Sequence, residues 1–335
     1  MDLRRGALAL FLSLLAALSA QGFEAAAEQY VRWAEETIAG GRWDEALAGL
    51  ERAADYADVS SDISYLLALA RSRTGKPRGA VLEALRRAGE AGRWSRYAPD
   101  QALLLEAETL IALRNFSEAL NRLARRSGDA DGAMLRLSAL RGLPDINAFR
   151  RAMGETLERY SRDPRPAVIF FEYAKGKTPE GTDQVLLDTI LRRLPYIVDA
   201  EPRLGFLAAP FIKDREEARR LLGAYRGAHR PLPASVPASL NLGLIDEAAA
   251  VEELFDFPAP EAGTAAEPGI DKELIEEVFA LLRDDEGRRL FRERLFRFSG
   301  LITADADRDG IPESRARYRD GVIREFFWDA DQDGL

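Results

Sequence analysis

GGRWDEALAGLERAADYAD, residues 40–58, decides how the rest of the chain is read. Gly40 and Gly41 make a turn, Trp43 follows it, and a helix is expected from residue 44. Ala46, Leu47, Leu50 and Ala53 then fall on one helical face. This is the second helix of a helix-turn-helix unit, and the pattern returns twice. Ala46 sits in Glu45-Ala46-Leu47, Ala80 in Gly79-Ala80-Val81 and Ala119 in Glu118-Ala119-Leu120, at gaps of 34 and 39 residues. A turn precedes each: Gly40-Gly41, Gly75-Lys76-Pro77 and Arg114-Asn115. Twelve residues before each alanine stands another, Ala34, Ala68 and Ala107. Small residues at both positions let two crossing helices approach closely, where larger side chains would force them apart.

With this period of about 34 residues, the chain resembles the tetratricopeptide-repeat (TPR) family over about residues 27–132. The resemblance implies an all-α, TPR-like helix-turn-helix solenoid whose concave face binds another protein or peptide. Departures are visible. No unit ends in the usual proline, the third has Arg114 for the turn glycine, and an insertion, residues 89–98, follows the second. The paired helices are expected at 24–39 and 44–56, 62–73 and 78–91, 100–113 and 117–126. On the family register the concave face carries Glu28, Val31, Glu35 and Ile38, then Asp62, Tyr65, Leu69 and Ser72, then Gln101, Leu104, Glu108 and Ile111. Such a groove is apolar and acidic. It lacks the basic side chains with which TPR proteins clamp a terminal carboxylate, so a basic or amphipathic peptide suits it. The competing reading is a stripe partly covered by neighbouring repeats.

Residues 133–255 read as degenerate helical repeats within the same array. Phe149, Met153, Leu157 and Tyr160 share one helical face after a turn capped by Asp145. Residues 165–175 and 182–194 form a further pair, with Val168–Phe171 read as helix over strand because helical patterns flank it. Residues 203–213 and 214–228 form a sixth pair, 229–238 a Pro-rich turn, and 240–255 one more helix. Residues 256–270 carry three prolines and no apolar period, and read as a linker. A helical pair follows within 271–299.

Residues 300–335 form a small calcium-loop and β-hairpin tail. Asp305, Asp307 and Asp309 precede Gly310, and Asp329, Asp331 and Asp333 precede Gly334, at a spacing of 24 residues. Alternating carboxylates followed by glycine build the first half of an EF-hand-type loop, in which three hard oxygens and a following carbonyl face one cation. Ile311 supplies that carbonyl and Glu313 a further carboxylate; Ala316 stands where the EF-hand places its last acidic ligand. Between the motifs, Ser314–Tyr318 and Val322–Trp328 flank Arg319-Asp320-Gly321 and read as a hairpin. The tail looks like the aspartate-rich tandem repeats of bacterial surface proteins, which implies structural calcium. The alternative is a solvated acidic turn without metal.

Residues 1–20 have a basic start at Arg4 and Arg5, an apolar run from Gly6 to Leu18 and small residues at the end. They read as a secretory signal peptide, with an uncleaved anchor as the alternative. The chain is therefore expected to be exported, periplasmic or envelope-associated. With no cysteine, no lipid anchor and no disulfide are expected, and with one histidine besides, no structural zinc site. A net charge of −9 without a basic cluster argues against nucleic acid. The one histidine, His229, reads as a surface-turn residue. Gly176-Lys177-Thr178 resembles the end of a P-loop, but Phe171 occupies the position of its first glycine. No motif commits the chain to an enzyme. A binding scaffold is the first expectation, an envelope-assembly or wall-remodelling accessory the second, and a carboxylate-dependent hydrolase the third.

Overall fold

The computed structural model describes residues 25–53, 60–124, 128–256, 269–305 and 312–329. Residues 1–20, most of the linker and Asp307, Asp309, Ile311, Asp331 and Asp333 lie outside them. The chain is mostly helical, 68% helix among the described residues, with one four-stranded sheet towards its C-terminal end. It divides into two compact units, one ending at Leu113 and one beginning at Arg114.

The first unit holds α1 (25–39), α2 (Trp43–Arg52), α3 (Ser61–Arg73), α4 (Arg78–Ala91) and α5 (Pro99–Ala112). Helices α2 to α5 pack in sequence, each on the next. The crossings use the small residues read from the sequence: Ala34, Ala46, Ala68 and Ala107 have no exposed surface. Gly49 serves the same purpose, because a Cβ there would strike the indole of Trp33. Ala80 is only half-buried, and Val81, Ala84 and Ala88 form the buried face of α4 instead. Helix α3 is enclosed, with every residue from Ser61 to Ala68 buried. A helix buried all round shows little amphipathic contrast, and that is why Asp62 was read as a groove residue and not as a buried one.

The second unit continues the helical run with α6 (Phe116–Leu123), α7 (Ala130–Arg141), α8 (Ile146–Arg159), α9 (Arg165–Ala174) and α10 (Thr182–Ile197). Val168, Phe170 and Phe171 are buried on helix α9, as the flanking patterns implied. Regularity then falters. The expected helix at 203–213 is one turn, α11 (Leu204–Leu207), followed by a 3₁₀ turn, before α12 (Arg215–Ala228). The single helix expected at 240–255 is two, α13 (Val236–Asn241) and α14 (Glu247–Phe255), parted at Gly243 in the left-handed region. Aspartates start four of the helices here: Asp129, Asp145, Asp214 and Asp246 each accept a first-turn backbone N–H. A buried brace ties α8, α9 and α10 together. Asp183 accepts two bonds from Arg150, at 2.8 and 2.7 Å, and one from the Tyr173 hydroxyl at 2.9 Å.

The end of the linker is not linker. Gly269–Asp271 is strand β1, followed by α15 (Lys272–Leu281), α16 (Asp285–Phe296), β2 (Gly300–Ala304), β3 (Ser314–Arg319) and β4 (Val322–Trp328). β1 runs parallel to β2, and β3 and β4 add antiparallel in the order β1-β2-β3-β4. The helical pair and the sheet form one packed body rather than a pair plus a tail, because Ile270, Leu274, Val278, Phe291 and Phe298 share one core with Ile302 and Tyr318. The β3–β4 turn has positive φ at both Asp320 and Gly321, the geometry that matches the twist of a two-residue hairpin. A Cβ on Gly321 would meet the Phe296 backbone.

Replacing Asp183 by Ala strands Arg150 and Tyr173, and is expected to cost about 3 kcal/mol in denaturant unfolding. Val185→Ala, two residues on and on the exposed face of α10, is expected to change stability by less than about 0.5 kcal/mol.

Candidate functional site

Two surfaces hold the residues that the sequence singled out. The first is the face of α1, α3 and α5 that carries the expected groove. Asp62, expected to line it, has no exposed surface, and Tyr65 and Val31 are buried beside it. Residues 93–97, within the insertion after the second unit, lie across this face as a strap. Asp62 holds the strap by its backbone: Oδ2 accepts from Ser95 N at 3.2 Å, Ser95 Oγ at 2.6 Å and Arg96 N at 3.0 Å, and Oδ1 from Tyr97 N at 3.4 Å. Ser61 Oγ adds a second anchor, donating to Ala88 O at 2.7 Å and accepting from Arg93 N at 2.8 Å. Trp94 and Tyr97 pack on Tyr65, with ring centroids 6.3 and 4.9 Å away.

The strap also changes the charge of the face. Arg96 pairs with Glu35 at 2.6 Å and approaches Glu28 at 3.9 Å. The Tyr97 hydroxyl donates to Glu35 at 3.0 Å, and burial first, then that bond, raises its pKa above the ordinary phenol value. The expected acidic groove without basic side chains is thus corrected: Glu35 and Asp62 are engaged from within, and Arg93 and Arg96 reach its rim. A cleft of about 430 Å³ remains between α1 and the strap, lined by Glu28, Val31, Arg93, Trp94 and Arg96 among others. Further along, Gln101 caps its own helix through Ala98 N at 3.0 Å, Leu69 and Leu104 are half-buried, and Glu108 is exposed. The insertion itself was visible in the sequence. That it folds back was signalled only by Trp94 and Tyr97 standing in a loop opposite an aspartate flanked by apolar helix.

The second surface is one end of the sheet. By register, Asp305 leaves β2, Glu313 enters β3 and Asp329 leaves β4 at the end where β1 finishes in Asp271. The Asp329 N–H donates to Glu313 O at 2.8 Å, closing this end between β3 and β4. Asp271 caps α15 through Glu273 N at 3.1 Å. Its pKa is pushed up to about 7, by burial first and then by the hydrogen bond and negative charge of Glu273. Burial opposes ionisation of Glu273 too, but bonds from Asp271, from its own N–H and from Asp305 N–H outweigh it and hold Glu273 below the usual value. Asp271 and Glu273 were not singled out from the sequence. Among the described residues no group of three or more acidic or histidine side chains is spaced to hold a metal ion.

A third concavity, about 650 Å³, lies on α10 and the segment before α12, with Leu187, Leu191 and Phe211 at its floor and Lys177 and Lys213 at its rim. His229 stacks on Tyr225 at 5.6 Å and is exposed. No described helix is long and apolar enough to cross a membrane.

Two outcomes are expected. Asp62→Ala removes the acceptor of the strap's backbone, and trypsin cleavage after Arg93 and Arg96, followed by mass spectrometry, should accelerate about tenfold over wild type. Between pH 4 and 7 the folded chain keeps a proton on Asp271 that the unfolded chain, with an aspartate near 3.8, has lost. Stability from this group therefore falls as pH rises through about 7. Asp271→Asn, which keeps the helix cap, should flatten the change in melting temperature between pH 5 and pH 8.

No protein-family model matches the chain. It is 26% identical over 337 residues to an uncharacterized protein of Treponema pallidum (strain Nichols), across 84% of this chain and 42% of the relative. The chain thus spans about two-fifths of the length of the curated relative it matches.

Proposed function

We propose that this chain is an exported helical-repeat scaffold of the tetratricopeptide type that binds another protein or peptide at the cell envelope, and whose sheet end is ordered by calcium. The observation that carries the repeat reading is the complete burial of Ala34, Ala46, Ala68 and Ala107. Small residues at the same step in successive helix pairs are what stacked repeats need. The exposed part of the binding face then runs from the cleft beside Glu28 to Glu108. Its partner is an amphipathic segment, since the carboxylates nearest the strap are already paired.

The donor set at the sheet end suits calcium. Asp305 and Glu313 bracket the β2–β3 connection, and Asp329 follows β4 at the same end. These are hard oxygen ligands of the kind calcium takes. Asp305 and Glu313, with Asp307, Asp309 and the Ile311 carbonyl, would hold one ion in the first loop; Asp329, Asp331 and Asp333 belong to the second. Bound calcium would neutralise the mutual repulsion of these carboxylates and draw the two strand ends together.

Calorimetric titration tests this reading. Heat is expected at micromolar to millimolar calcium and should vanish in an Asp305→Ala, Asp307→Ala double variant. No heat at millimolar calcium would sink the calcium reading. For the scaffold, the chain should retain a partner from envelope extracts that a Glu28→Lys, Glu108→Lys variant loses. Equal retention by both would move binding off this face.

A further inference from the structure

The outermost strand of the sheet is its most apolar exposed element. Val322, Ile323, Phe326, Phe327 and Trp328 are each more than half exposed. Strand register explains why. Ile270, Ile302, Ala316 and Phe326 form one row across all four strands on one face. Ile270 and Ala316 are buried in that row and Ile302 is partly buried, packed against the core of α15 and α16. Phe326 lies one strand further out, where the helical cover has ended. Ile323, opposite Tyr318, and Trp328, opposite Ser314, extend the uncovered face along β4. Phe296 at the end of α16, three-quarters exposed, borders it at the hairpin turn. β4 also closes the strand order, so its outer backbone edge has no strand beside it among the described residues. An exposed apolar edge of this kind is a template for another strand, and the one irregularity of its pairing with β3, at Arg317 and Tyr318, lies to one side of Phe326.

We infer that β4 pairs antiparallel with β4 of a second copy of this chain, joining two sheets across a two-fold axis. The charges of the strand select the register. A two-fold contact between identical antiparallel strands sets one residue opposite its own copy. Centring on Arg324 or Glu325 opposes like charges. Centring on Phe327 sets Glu325 against Asp329. Centring on Ile323 or Trp328 leaves most of the strand beyond its partner. Centring on Phe326 stacks Phe326 on its copy, sets Glu325 against Phe327 and brings Arg324 to the Trp328 indole, a guanidinium–aromatic pairing. Glu325 keeps its 3.1 Å ion pair with Arg317 on β3. In that register Ile323, Phe326 and Trp328 of both copies fill the trough between one α16 and the other.

Light scattering on the full chain, with and without calcium, gives the mass directly. A dimer is expected in at least one condition, and Phe326→Lys with Trp328→Lys should weaken it by about tenfold or more with an unchanged circular dichroism spectrum. The absence of cysteine permits a sharper test. Cα atoms of opposed residues in an antiparallel pair are about 4.5–5.5 Å apart, within disulfide reach. Phe326→Cys should therefore form a covalent dimer under mild oxidation, and Val322→Cys should remain a monomer. A monomeric wild type in both conditions, a dimer indifferent to the lysine variant, or equal crosslinking at both cysteines would each overturn the proposal.

Discussion

A carboxylate shut away from water must find its hydrogen bonds inside the protein, or the fold that buries it is penalised by several kcal/mol. That constraint shapes both units. In the first, Asp62 has no exposed surface, and backbone N–H groups of residues 95–97 supply its partners. The strap is fixed because the carboxylate is. In the second, Asp183 meets the forked guanidinium of Arg150 and the hydroxyl of Tyr173, and three helices are located relative to one another by that one group. At the sheet, Asp271 keeps a proton and shares it with Glu273. Two buried aspartates and the partly buried Asp271 thus meet three different solutions: backbone donors, a cationic partner and protonation.

The strap also alters how the resemblance to repeat proteins bears on binding. A bare groove of the expected register would present Glu28, Glu35 and Asp62 together to a basic ligand. Here all three are engaged by the chain itself, Glu28 by Arg32 and Arg96, and an aromatic pair covers Tyr65. The surface left for a partner is narrower, and its charge is mixed. An inserted loop of a few residues can therefore change the charge and exposure of a helical face without changing any helix.

Legibility in the sequence followed the physics of each feature. The helix pairs of residues 25–124 were readable because alanine at a close crossing, and glycine or proline at a turn, are required by local geometry. The hairpin was readable for the same reason, since Asp320-Gly321 suits a turn with two positive φ angles. Ala80 was misplaced as a crossing residue because Ala84 and Ala88 offer the same small size one and two turns later. The strand at Gly269–Asp271 was missed because it has three residues and exists only through its pairing with β2, thirty residues away. The face of α1, α3 and α5 was half legible: the helix register placed its residues, but no local pattern says which side chains a distant loop will cover.

The strap has a consequence for how the first unit comes apart. Helix pairs that touch only their neighbours lose order from the ends inward, each nearly independent of the rest. Asp62 and Ser95 are 33 positions apart, and Glu35 and Arg96 are 61. Those bonds fasten the first helix to the segment leading into the fifth, so α1 cannot fray without also loosening the strap. Helices that would otherwise loosen one by one are coupled into a single cooperative block, and α1 inherits the protection of α3.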